Sequence, residues 1–220
     1  MTQQTVQTAA TGTTSTASGE PVTRLERLLP LAGAGFALLV AAGYLSIGPF
    51  PDESTAAADL TTYYASHHNQ VGLGGILLGY GAVLVALFGV ALWIRARRAG
   101  AAAAVSAAAL IGTAVLTVDV VRAANVYRTL GAIGGRLSTE AGALQAWHVA
   151  GAAPTAAVGA AVLLLAMAAA GIGGRAVPRW LAWSALVIAL LLLTPLGFQA
   201  WLLFLLWSLV ASVVLALRTR

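Results

Sequence analysis

The stretch WLAWSALVIALLLLTPLGFQAWLLFLLWSLVASVVLAL runs from Trp180 to Leu217, 38 residues without one charged side chain. As a single helix it would reach about 57 Å at 1.5 Å per residue. That is nearly twice the hydrocarbon core of a bilayer, about 30 Å. The stretch must therefore fold back on itself. The break is written as Thr194-Pro195-Leu196-Gly197-Phe198-Gln199, where proline removes a backbone donor and glycine admits a turn. The reading is two membrane spans, near 180–196 and 200–217.

Four more apolar runs precede this pair, at about 28–47, 71–94, 101–121 and 147–171. Of the 220 residues, 60% are hydrophobic and only 9% are charged, with a mean hydropathy of +0.88. A soluble domain carries roughly 25% charged residues, so a water-facing surface cannot be built from this chain. The fold class that follows is all-α: a polytopic transmembrane bundle of about six helices occupying residues 24–220. Residues 1–23 form a polar tail with eight threonines and no basic residue. It has nothing to bury and reads as disordered. The apolar run after Arg24 and Arg27 is about 20 residues, longer than a signal peptide's h-region, so it reads as a retained span.

Arginine placement sets the orientation. With the N-terminus in the cytoplasm, that side holds Arg24, Arg27, Arg95, Arg97, Arg98, Arg175, Arg179, Arg218 and Arg220. The outer side holds Arg122, Arg128 and Arg136, nine against three. Both termini are thus expected in the cytoplasm. Trp93, Trp180 and Trp183 fall near the inner interface, and Tyr63, Tyr64, Trp147 and Trp201 near the outer one, as aromatic belts do. Ahead of the second span, Asp52-Glu53-Ser54-Thr55 offers helix caps to residues 56–67. A short outer surface helix is expected there. The third helix is expected to continue past the membrane to about residue 130, before Gly131.

Small residues recur at helical spacing. Gly75 and Gly79 form a GxxxG in the second span, and Gly151, Thr155 and Gly159 line a stripe in the fourth. Such stripes let helix backbones approach closely in lipid. In a chain this rich in Ala and Gly, packing inside one bundle is the favoured reading over homodimerisation. A protein partner or a second copy of the chain stays open.

Ionisable groups within a span are functional candidates. Asp119 is the clear one, and Arg122, three residues on, projects from nearly the same helix face and can pair with it. His67, His68 and His148 also fall toward the outer side. With Asp119 they compose a weak candidate polar cluster, and imidazole with carboxylate suits a zinc-like ion. Their spacing matches no metal motif, so a metal there is unknown and no cofactor is implied. The bland reading is a local ion pair anchoring a helix end. The chain has no cysteine, which excludes thiolate catalysis and Cys-ligated metals. It has no Walker A loop, no Gly-x-Ser-x-Gly elbow and no His-Glu-x-x-His. The net charge of +5 sits at the ends of apolar runs rather than on a basic stripe, which excludes a nucleic-acid partner. The partner implied is the lipid bilayer.

Three stretches carry a resemblance. Pro49-Phe50-Pro51-Asp52-Glu53-Ser54-Thr55 leads through Leu60-Thr61-Thr62-Tyr63-Tyr64-Ala65-Ser66-His67 into a Gly-rich span. Arg175-Ala176-Val177-Pro178-Arg179-Trp180-Leu181-Ala182-Trp183 opens the fifth span, and Trp147-His148 opens the fourth. Together they resemble a group of uncharacterised actinobacterial multi-pass membrane proteins, over most of residues 25–218. The resemblance implies this topology in a bacterial plasma membrane and brings no catalytic residue.

Three functions compete on the sequence. The leading one is a non-enzymatic membrane component, structural, sensory or partner-binding. The second is a small transporter or channel subunit, which requires a polar cavity between helices. The third is a membrane-embedded enzyme or metal-binding protein, which requires the outer His and Asp residues to converge.

Overall fold

The computed structural model describes residues 28–48, 57–134, 154–174 and 176–218. The tail 1–23, Trp147, His148 and Gly151 lie outside the described residues. All regular structure among the described residues is helical. A 3-10 turn at Leu29–Leu31, shaped by Pro30, leads into α1 (Ala32–Ile47). Then follow α2 (Ala57–Arg98), α3 (Ala103–Ile133), α4 (Pro154–Gly174), α5 (Arg179–Leu192) and α6 (Gly197–Leu217).

Each helix packs on the next, and α6 returns to pack on α1, so the six form a closed ring of antiparallel neighbours. Close approaches fix the directions. A Cβ on Gly33, at the start of α1, would meet Phe88 near the end of α2 and Ser212 near the end of α6. Arg95 at the end of α2 donates from Nη2 to Leu215 O at the end of α6, at 2.6 Å. The first described residues and the end of α6 therefore lie at the same end of the bundle. Arg97, Arg98, Arg179 and Arg218 gather there too, and that end is the Arg-rich end below.

One continuous apolar core joins all six helices, through Phe36, Phe88, Leu116, Leu163, Ile188 and Phe204 among others. Between α1, α2 and α6 it is aromatic. The rings of Phe36 and Phe204 lie 6.0 Å apart, and those of Phe88 and Trp207 lie 6.5 Å apart. The outside is apolar as well: Leu45 is 83% exposed and Val118 69%. Large side chains so placed require an apolar solvent, and lipid supplies it.

Among the described residues, five helices are long and apolar enough to cross a membrane, and α5 is shorter. Its 14 residues rise about 21 Å. The sequence places its end near residue 196, whereas the helix stops at Leu192. Pro195 is the reason. It cannot donate to the carbonyl one turn back, and it disfavours helical geometry at Thr194. The chain tightens into 3-10 bonds, Leu193 N to Leu190 O at 3.2 Å and Thr194 N to Leu191 O at 3.0 Å. Thr194 Oγ1 then donates to Leu191 O at 2.7 Å. Past this turn α6 begins at Gly197, three residues before the expected start. α6 runs back along α5, and Trp207 Nε1 donates to Leu181 O at 3.1 Å.

α2 is far longer than a span requires. The short helix expected ahead of the second span is present as its first turns, joined to the span at a bend at His67 (φ −111°, ψ 15°). The bend has a local cause. Tyr63 O accepts from Ser66 Oγ and from His67 Nδ1, each at 3.0 Å, so side chains compete for the carbonyl that the helical ladder uses. α3 likewise continues to Ile133. The two extensions stay paired beyond the span, and a Cβ on Gly134 would stand 2.6 Å from Tyr64 O.

Candidate functional site

Asp119 faces inward because Leu116, Asp119 and Val120 share the buried side of α3. The α3–α4 contact sets its partner. A Cβ on Gly112 would lie 2.5 Å from Leu163 N and 2.8 Å from Gly159 O. Two turns along α3 from Gly112 stands Asp119, and one turn before Gly159 on α4 stands Thr155. In an antiparallel pair these meet. Thr155 Oγ1 donates to Asp119 Oδ1 at 2.6 Å, and Arg122 Nε donates to the same oxygen at 3.1 Å. The Asp119 side chain is 8% exposed and that of Arg122 is 37% exposed. The carboxylate is thus held in the bundle while the guanidinium reaches its edge.

The distance along the helix explains why a charge is tolerated. Asp119 stands roughly 24 Å from the start of α3, near the far boundary of a hydrocarbon core of about 30 Å. Charge-assisted bonds from Arg122 and Thr155 offset much of the remaining desolvation.

A run of phenols adjoins this group on one side. Tyr44 of α1 lies within electrostatic reach of Asp119. Tyr127 of α3 stands in the same relation to Tyr44, Tyr63 and Tyr64. Tyr64 and Tyr127 are buried. Tyr63 and Tyr64 meet edge-on at 5.6 Å, and Tyr63 stacks on His67 at 4.5 Å. The Tyr63 hydroxyl donates to Ile47 O at 2.5 Å, clamping the end of α1 to the bend in α2. Gly48, with φ 84°, lets the chain leave α1 beneath that ring. A Cβ there would stand 2.8 Å from the hydroxyl.

The histidines are engaged locally. His67 Nδ1 meets Ser66 Oγ at 2.9 Å and Tyr63 O, and His68 Nδ1 meets Ala65 O at 3.0 Å. Neither joins Asp119 in a ligand set: among the described residues no three His, Asp or Glu side chains gather in a metal-binding group. The arrangement can tie α3 to α4 and present a tyrosine-lined polar end. Sequence reasoning missed Thr155 as a partner, having read it only as a member of a small-residue stripe. It also missed Tyr44 and Tyr127, whose signal was a phenol near the end of an otherwise apolar run.

The packing glycines lie within the bundle. A Cβ on Gly75 would stand 2.5 Å from Arg128 N and 2.8 Å from Ala124 O of α3. Gly79 faces Ala124, and Gly159 faces Leu116 N at 2.6 Å. No protein-family model, curated protein or solved structure matches the chain.

Proposed function

We propose that this protein is a six-span component of a bacterial plasma membrane with both termini cytoplasmic, acting through binding or sensing and not through catalysis or transport. The observation that carries this reading is the apolar core. A transport path needs polar groups spaced through the membrane, and here Phe36, Phe88, Phe204 and Trp207 are buried in one continuous apolar cluster. Of the buried hydroxyls, those of Thr113 and Ser212 bond to their own helices, at Ala109 O and Ser208 O, while those of Ser106 and Ser208 are buried without a hydrogen-bond partner among the described residues. Asp119 is engaged as a tie between two helices. The cytoplasmic placement of the Arg-rich end follows from the positive-inside rule. The extended ends of α2 and α3, with the tyrosines and His67, then form the outer surface on which a partner or signal acts.

Reconstitution tests the non-transporting part of this reading. Liposomes carrying the purified protein and a pH-sensitive dye, held under a proton or potassium gradient, should equilibrate no faster than empty ones. Protein-dependent flux that disappears in Asp119→Asn would establish the transporter reading instead.

A further inference from the structure

We propose that the Arg-rich end of the bundle, where α2 and α6 terminate together, binds the phosphate of an anionic phospholipid headgroup. The Arg95 bond to Leu215 O draws the two helix ends together. Arg98 and Arg218 both lie within electrostatic reach of Arg95, and both are exposed. Arg97 stands 5.5 Å above the Trp93 ring, and Arg179 opens α5 at the same end. The described carboxylates, Asp59 and Asp119, stand toward the other end. Positive groups so gathered attract an anion.

The chemistry points to phosphate. All 12 basic residues of the chain are arginine, and a guanidinium grips two phosphate oxygens with a planar fork that lysine lacks. The surroundings point to lipid as its source. Trp180 and Trp183, each 55% exposed, flank this end, and exposed tryptophan at the end of a span sits at headgroup depth. The site therefore opens to the bilayer interface, where anionic headgroups are concentrated. It requires only that the bundle is in a membrane, and holds whether or not the chain transports anything.

The test is native mass spectrometry of the full chain in neutral detergent, titrated with phosphatidylglycerol or phosphatidylcholine. Phosphatidylglycerol should be retained at least tenfold more tightly. Arg98→Gln with Arg218→Gln should weaken that retention about 25-fold, roughly fivefold for each basic group removed near the surface, and leave phosphatidylcholine unchanged. Arg128→Gln, at the opposite end, should leave both unchanged. Should the double Gln variant fail to fold, Arg98→Lys with Arg218→Lys keeps the charge and loses the fork, and is expected to weaken retention several-fold. Equal retention of the two lipids would overturn the proposal, as would undiminished retention in the variants or an equal loss in Arg128→Gln. Displacement of the lipid by millimolar inorganic phosphate would mark a soluble-anion site and overturn it too.

Discussion

Gly112→Ala should destabilise the bundle by about 3 kcal/mol, the upper end for an overpacked site. The added methyl would stand 2.5 Å from Leu163 N and 2.8 Å from Gly159 O, and the third nearest atom is Leu163 Cα at 3.0 Å. All three are backbone, so no rotamer change makes room. α3 and α4 would have to separate along their whole contact. In lipid no hydrophobic force closes such a gap, because association there rests on close packing and interhelical hydrogen bonds. The separation would also pull Thr155 away from Asp119. Gly173→Ala on α4 is the control: nothing lies within 4 Å of its added methyl. It should be neutral or favourable by up to about 1 kcal/mol, through backbone entropy. Thermal unfolding in detergent measures both, and equal behaviour of the two variants would contradict the α3–α4 contact.

Asp119→Ala should cost about 1–3 kcal/mol, because it removes the carboxylate oxygen that Arg122 Nε and Thr155 Oγ1 share. The value stays below that of a fully buried pair because the Arg122 side chain is 37% exposed and water screens it. Asp119→Ala with Arg122→Ala should recover part of the loss, since the guanidinium that lost its carboxylate is then gone as well. Additive losses in the double variant would show that the two groups act independently. Asp119→Asn should fall between wild type and Asp119→Ala. It keeps an acceptor for Thr155 and weakens the attraction to Arg122.

The spans were legible because apolar runs of nearly 20 residues have few other uses, and Pro195 marks the break in the last of them. The details at that break were harder to read. Hydropathy carries no information on where Leu193 and Thr194 leave the helix, since both are as apolar or as small as residues inside it. The ring order was not legible either. It depends on which faces of α1 and α6 fit together, and Gly33 against Ser212 and Phe88 is a fit of shapes, not a pattern in one segment. The same holds at the candidate site. Asp119 and Arg122 are local, three residues apart on one helix. Thr155 becomes their partner only through the register that Gly112 and Gly159 impose. The bend at His67 arises from side-chain competition for one carbonyl, which leaves no mark in residues 56–67 beyond good helix formers.

The central claim is that all six helices cross and that both ends of the chain lie in the cytoplasm, and α5, with its 14 residues, is the link on which it turns. The chain has no native cysteine, so single cysteines report cleanly. Leu196→Cys stands in the turn between α5 and α6, where Leu196 is 53% exposed. In intact spheroplasts a membrane-impermeant maleimide should label Leu196→Cys and Asp59→Cys, and should label Glu20→Cys and Arg218→Cys only after permeabilisation. Protection of Leu196→Cys until permeabilisation, with Asp59→Cys labelled, would show that α5 does not cross and would contradict the account.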